Sequence, residues 1–222
     1  MARKKGLDIA KALYYVQLDG SARKTLFKGP DDYRRFTPLL ETLFTEVGTS
    51  TVAWCLLQNS VHLILRPGDN GIIDTSNWLK STYTQQYNSA RGGSGSLFNS
   101  TNHCTLIEPS VYLLPCLHQL HHLPITHRLV PVLTIYPWSS HLQYLEERGP
   151  QWLERDGIIN RVANQRAGRR RRYENFIQSN LATDLNWLVG THPQYRALAS
   201  ESYVDRLIEQ GNNSNQTQPQ PE

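Results

Sequence analysis

The sequence of 222 residues has few cysteines and no long apolar run. Its three cysteines, Cys55, Cys104 and Cys116, are widely spaced and form no CxxC pair, which argues against a disulfide framework or a zinc ribbon. Because no run of about 18 apolar residues occurs, we expect no transmembrane helix and no membrane partner. The basic segment Met1 to Gly6 leads into no apolar stretch, so we expect no signal peptide and a cytoplasmic location.

The excess of positive charge is small. Lys and Arg number 23 against 19 Asp and Glu, which gives a net charge of +4. With 39% hydrophobic and 19% charged residues, the composition is that of a globular chain. This balance permits a polyanionic partner without establishing one. The chain has no repeat of 20 to 50 residues, which excludes solenoids and propellers.

Hydrophobic periodicity predicts an alternation of strands and helices. We expect strands over 12–18, 51–57 and 61–65 and within 98–107, and helices from Pro30 to Gly48, over 73–90, and from Pro109 until Pro124 stops the last one. The order is strand, helix, strand, strand, helix, strand, helix. This order indicates a ferredoxin-like α+β fold, in which helices pack on one face of an antiparallel sheet.

Composition divides the chain into three parts. Residues 1–145 hold the predicted α+β domain. Residues 146–210 read as a helical extension with a basic cluster. Residues 211–222 have no apolar anchor and are expected to be a disordered tail.

An ordered series of short segments carries a resemblance to a known family. The segments are Ala12–Val16, Gly20–Arg23, Asp32–Phe36, Gln58–Leu65, Ser94–Phe98, Tyr112–Leu114 and Tyr136–Ser140. Their sequence and order resemble the single-tyrosine HUH transposases, in particular the REP-associated tyrosine transposases. The resemblance spans roughly residues 5–145 and implies an HUH-type ferredoxin-like domain.

The resemblance also implies a chemistry, which is DNA transposition by strand transfer on single-stranded or hairpin DNA. In the family, two histidines on one strand bind Mg²⁺ or Mn²⁺, and the metal polarises the scissile phosphate. A tyrosine on a later helix then attacks the phosphate and becomes a 5′-phosphotyrosine. Both monomers and homodimers occur among such proteins.

Carried over position by position, the catalytic set is incomplete in this sequence. The second histidine of the strand motif is His62, but the first falls on Ser60. The nucleophile position falls on Gln119, and a polar position one helical turn later falls on Leu123. We therefore predict a degenerate active site and expect no cofactor, with Mg²⁺ or Mn²⁺ only if the family's metal site is retained.

Two replacements for the missing groups stay open. His118 and His122 are four residues apart on one helical face and could join His62 in a three-histidine site, or they could be a solvated histidine pair. Tyr83 or Tyr87, also four apart, could act as a displaced nucleophile, or both could pack their helix against the sheet.

Basic residues form the candidate nucleic-acid-binding set, because guanidinium groups pair with phosphate. The alternative is a set of solvated surface residues paired to nearby acids. The candidates are Arg23, Lys24, Arg34, Arg35, Arg166, Arg169, Arg170, Arg171 and Arg172.

Three functions follow from these patterns. The preferred hypothesis is a transposase-like protein that binds single-stranded or hairpin DNA, or RNA hairpins, and no longer cleaves it. The second is an active transposase or nickase that uses a displaced tyrosine. The third is a protein-interaction module that does not bind nucleic acid.

Overall fold

A computed structural model describes residues 4–21, 24–162, 168–181 and 190–216 of the chain. The strands are β1 (Leu13–Asp19), β2 (Ser50–Leu57), β3 (Ser60–Arg66), β4 (His103–Ile107) and β5 (Ala197–Leu198). The helices are α1 (Pro30–Phe36), α2 (Pro38–Thr45), α3 (Gly71–Arg91), α4 (Pro109–Thr126), α5 (His141–Leu145), α6 (Asp156–Ile159), α7 (Arg169–Gln178) and α8 (Glu201–Gln216). None of the helices in these ranges is both long and apolar enough to cross a membrane.

The five strands form one sheet in the order β2-β3-β1-β4-β5. The first four are antiparallel neighbours, as in a ferredoxin-like fold, so the predicted α+β class is confirmed. The turn between β2 and β3 contains only Gln58 and Asn59, and Leu57 pairs with Ser60 across it. The extension is therefore not wholly helical, because it supplies β5, which runs parallel to β4.

Helices cover both faces of this sheet, and the prediction of helices on one face is wrong. On one face, Cys104 of β4 contacts Ser76 of α3, with 3.6 Å between Sγ and Oγ. On the opposite face, α4 packs against β2 and β3, and its Cys116 lies close enough to Tyr15 to influence that residue's pKa. The physical reason is that β2 and β3 are buried along almost their whole length, so both faces need an apolar cover.

Helix α4 continues beyond the proline that was expected to end it. Pro115 and Pro124 both lie inside the helix, which runs to Thr126. A proline removes one backbone donor, but burial of Leu117 and Leu120 against the sheet holds the helix in place despite that loss.

The extension shares the core of the first domain through a buried chain of hydrogen bonds. The backbone N–H of Trp54 in β2 donates to Ser140 Oγ (3.0 Å), which lies 2.7 Å from His121 Nε2 in α4. His121 Nδ1 is 2.9 Å from the Tyr173 hydroxyl of α7, which in turn is 2.7 Å from His141 Nδ1. Buried polar groups need such partners, so this chain ties α7 to the sheet.

The predicted disordered tail is partly helical. Helix α8 runs from Glu201 to Gln216 and so includes residues 211–216, while residues 217–222 lie outside the described ranges.

Asp32 holds α1 against α3. Its fully buried carboxylate accepts two hydrogen bonds from Arg91 (2.6 and 2.8 Å), one from the backbone N–H of Lys28 (2.8 Å) and one from Arg35 (3.3 Å). Burial alone would raise the pKa of Asp32, but the hydrogen bonds from Arg91 and Lys28 outweigh burial and keep this pKa below its usual value.

We expect Asp32→Asn to lower the free energy of unfolding by about 2 kcal/mol, because charge-assisted hydrogen bonds to a buried group are lost. Urea denaturation at neutral pH measures this change. The matched control is Asp31→Asn, since Asp31 is exposed and forms an ion pair with exposed Arg34, a contact worth about 0.5 kcal/mol or less.

The same variant should change the pH dependence of stability. A lowered folded-state pKa means that the ionised Asp32 contributes fully above pH of about 4 and loses its contribution as the pH falls through the folded-state pKa. The difference between wild type and Asp32→Asn should therefore shrink in acid. A difference that stays constant down to pH of about 2 would contradict this role.

Candidate functional site

His62 lies on β3, on the sheet face covered by α4, and both of its ring nitrogens have hydrogen-bond partners. Nδ1 is 2.7 Å from the hydroxyl of Tyr15 on β1, and Nε2 is 2.9 Å from Ser60 Oγ on the same strand. A neutral imidazole has one donor and one acceptor nitrogen. In either tautomer, both ring nitrogens of His62 are engaged in hydrogen bonds, and the ring retains no free lone pair for a metal ion.

Burial determines the electrostatics of this histidine. It lowers the pKa of His62 to about 3, and His127 contributes a smaller effect in the same direction. Burial also raises the pKa of Tyr15 well above its usual value, and Cys55 and Cys116 add to that effect. Both rings are therefore neutral at physiological pH, and their contact is a neutral hydrogen bond.

These residues do not fit a divalent metal site. Ser60 offers a neutral hydroxyl, which is a poor ligand for Mg²⁺ or Mn²⁺ compared with a carboxylate or an imidazole. Within the ranges the structure describes, no group of three or more His, Cys, Asp or Glu residues is arranged to hold a metal ion.

Gln119 and Leu123 lie on α4. Gln119 is half-buried, and Leu123 is buried with 7% of its surface exposed. Leu123 presents only carbon atoms and can coordinate nothing. Gln119 carries a neutral amide, which hydrogen-bonds but is not a phosphoryl acceptor.

His118 and His122 lie together but away from His62. Their rings stack at 4.1 Å between centroids. His118 Nε2 is 3.0 Å from the carbonyl oxygen of Ser179, and its ring packs edge-on against Phe176 of α7. The pair therefore faces the extension, and the three-histidine site with His62 is not formed.

Tyr83 and Tyr87 lie on α3, and the Tyr83 ring packs against Phe27 and against Phe36 of α1. Tyr83 is fully buried, and its hydroxyl donates to the carbonyl oxygen of Leu26 (2.8 Å). Burial also raises the pKa of Tyr83 above its usual range. The hydroxyl of Tyr87 donates to the carbonyl oxygen of Thr25 (3.4 Å). This placement favours the packing alternative for both tyrosines.

The basic candidates near α1 are largely engaged with neighbouring groups. Arg34 pairs with Asp31 (2.6 Å), Arg35 pairs with Asp32 (3.3 Å), and Lys24 Nζ donates to the carbonyl oxygen of Ser94 (3.1 Å). Arg23 and Arg166 lie outside the described residues.

The four arginines of α7 differ in their surroundings. Arg169 pairs with Asp156 (2.7 Å), and Arg170 pairs with Glu174 (2.8 Å). Arg172 is half-buried, and its guanidinium donates to the side-chain oxygen of Asn160 at 3.5 Å. Arg171 is exposed. The guanidinium of Arg171 is therefore directly accessible to a ligand. Arg169 and Arg170 can bind a ligand by exchanging their surface ion pairs for it.

The structure also assembles a polar row that sequence reasoning missed. It crosses the sheet near the end of β1 and contains Ser60, Gln17, Asp19, His103 and Arg196, in which Gln17 Nε2 donates to Asp19 Oδ1 (2.9 Å). Arg196 donates to His103 Nδ1 (3.0 Å), and His103 Nε2 lies 3.9 Å from Asp19 Oδ2. The only signal in the sequence was the period-2 alternation of β1 and β3, which does not reveal a partner from the distant extension.

Comparison with known proteins identifies the fold. A REP-associated tyrosine transposase, solved bound to a REP hairpin, matches with a TM-score of 0.55 at 14% identity, covering 64% of this chain and 85% of that one. A proposed transposase from Deinococcus radiodurans R1 matches with a TM-score of 0.38 at 20% identity, covering 54% of this chain and 94% of that one. No family model and no curated protein matches the sequence. The chain therefore has a transposase-like fold.

We expect Mn²⁺ at about 5 mM to leave the melting temperature within about 1 °C of its metal-free value, because a ligand stabilises only a state that binds it. Differential scanning fluorimetry with and without Mn²⁺ measures the shift. A larger rise in wild type that disappears in His62→Ala would contradict this description of the pocket.

Proposed function

We propose that the protein binds structured single-stranded DNA, or RNA hairpins, and does not cleave it. The observation that carries the loss of cleavage is the occupation of both His62 nitrogens by Tyr15 and Ser60. A cation would have to displace one of these buried hydrogen bonds, which leaves a buried polar group unsatisfied.

The position of the nucleophile supports the same conclusion. Gln119 occupies the place on α4 that the family resemblance assigns to the catalytic tyrosine, and its amide cannot form a phosphotyrosine. Leu123 stands one turn later and offers no ligand atom. A catalytic unit that lacks its nucleophile and two metal ligands has lost the parts that act together.

Tyr15 is the tyrosine nearest to His62, and its environment argues against a role in attack. Only 1% of its surface is exposed, so a phosphate cannot approach the hydroxyl without rearrangement of the strands. The raised pKa also opposes formation of the phenolate, and the imidazole beside it is too weak a base to remove the proton.

Support for nucleic-acid binding comes from charge and from the fold. The chain has a net charge of +4, and exposed or exchangeable arginines lie on α7. The similar transposase is bound to a REP hairpin, which makes hairpin DNA the natural first ligand to test. Phosphate contacts need only positive charge and donors, so binding can persist after the cleavage chemistry is lost.

One observation favours a second function, a protein interaction that includes a homodimer as one form. The segment after α4 exposes Leu129, Val132 and Ile135 by 48%, 49% and 57% of their surfaces. Exposed apolar side chains that cluster along one segment are a feature of interaction surfaces.

We expect the purified protein to bind a hairpin with a single-stranded flank and to lose affinity steeply between about 50 and 200 mM salt, because bound phosphates release counterions. Fluorescence anisotropy at several salt concentrations measures this dependence. Absence of binding at low salt would refute the nucleic-acid hypothesis and leave the protein-interaction function.

The same hairpin tests cleavage. With Mg²⁺ or Mn²⁺ present, we expect no nicked product and no covalent complex on denaturing gels. A protein–DNA adduct that survives denaturation and is lost in Tyr15→Phe, Tyr83→Phe or Tyr87→Phe would show an active enzyme with a displaced nucleophile.

We further expect the triple change of Arg169, Arg170 and Arg171 to Ala to weaken hairpin binding for all sequences. It should reduce the salt slope by about 2 to 3, since each lost phosphate contact removes about 0.7 to 0.9. Arg172 is kept because its Nε is buried, so its loss could disturb the packing of α7. Lys11→Gln is the control, since Lys11 pairs with Asp69 before the start of β1. An unchanged salt slope in the triple variant would show that the arginines of α7 are solvated surface residues that do not contact phosphate.

A further inference from the structure

Arg196 reaches the candidate site only because the extension joins the sheet. The backbone N–H of Leu106 in β4 donates to the carbonyl oxygen of Arg196 (3.1 Å), and the N–H of Arg196 donates to that of Lys5 (2.8 Å). These bonds fix Arg196 immediately before β5. Its side chain donates to His103 Nδ1, so it lies at the β4 end of the polar row.

The hydrogen bonds define the protonation of the row. Because Arg196 donates to Nδ1 of His103, that nitrogen is an acceptor and the ring proton is on Nε2, on the side of Asp19. Asp19 in turn accepts from Gln17. The carboxylate is thus engaged inside the row. The guanidinium of the half-buried Arg196 uses one Nη1 donor on His103, and its buried Nε has no hydrogen-bond partner.

The row is open to solvent at this end. Asp19 and His103 have 29% and 27% of their side-chain surfaces exposed, in contrast to His62, which is buried. Lys5, beside Arg196 at the edge of the sheet, is exposed and adds a second positive charge. Arg196 is half-buried, so a ligand can reach the outer nitrogens of its guanidinium from this end without entering the pocket around His62.

We propose that Arg196, whose side chain is held by His103, binds a phosphate group of a nucleic-acid strand. The strand would lie across the polar row, over Gln17 and His103. This inference rests on the proposed function and names the phosphate contact at the position where the fold's cleavage site would lie. A guanidinium with unused donors pairs bidentately with phosphate oxygens. The amide of Gln17 uses one N–H on Asp19 and has a second N–H that can donate to the same strand.

The test is the salt dependence of hairpin binding in Arg196→Gln and Arg196→Lys, compared with Lys11→Gln. We expect Arg196→Gln to lose about tenfold in affinity and to reduce the salt slope by about 0.7 to 0.9, as one phosphate contact is removed. Arg196→Lys should restore the wild-type salt slope, because it restores the positive charge. It should restore only part of the affinity, because a lysine cannot pair bidentately with phosphate.

A second measurement separates this inference from the function on which it rests. Titration of a short single strand into isotopically labelled protein should shift the backbone NMR signals of Ser60 and His103. If the wild type binds the hairpin but these signals and the Arg196→Gln slope stay unchanged, the phosphate contact lies elsewhere and the inference fails. If the wild type binds no hairpin at low salt, the proposed function itself fails, and this contact with it.

Discussion

The central sheet must bury both of its faces, and most other features of the structure follow from that constraint. Strands β2 and β3 are apolar on both sides, so α4 has to cover the face that α1 to α3 leave open. That cover removes water from His62 and Tyr15. A buried imidazole needs partners for both nitrogens, and the strand register supplies them in Tyr15 and Ser60. The burial of His62 and the hydrogen bonding of both its nitrogens are thus consequences of how the sheet is packed.

Burial and exposure divide the site into two parts with different capacities. The inner part is neutral, and both ring nitrogens of His62 have hydrogen-bond partners. The outer part consists of the side chains of Gln17, Asp19, His103 and Arg196. It keeps hydrogen-bond donors and charged groups within reach of solvent. Under the proposed function, the outer part holds a phosphate and the inner part does not break its ester bond. The proposed loss of cleavage and the proposed retention of binding are therefore compatible within one site.

The sequence predicted the four strands of the ferredoxin-like core because each has strong β-branched and apolar character between turn signals. The family resemblance selected Ser60, His62 and Gln119 as candidates, and the structure shows a hydrogen bond between Ser60 and His62. Strand β5 has only two residues and no periodicity, so its place in the sheet depends on tertiary pairing. The contact between Tyr15 and His62 required the register of β1 against β3, which composition does not encode. Helix α4 passed Pro124 because burial outweighed local propensity.

Strand β5 also protects the chain against self-association. Without it, β4 would be the outermost strand, and its backbone groups at Leu106 and Glu108 would face solvent unpaired. An open edge of this kind recruits strands from other copies and promotes aggregation. A fragment that stops before residue 196 would therefore be prone to aggregation, even though it retains every motif of the first 145 residues.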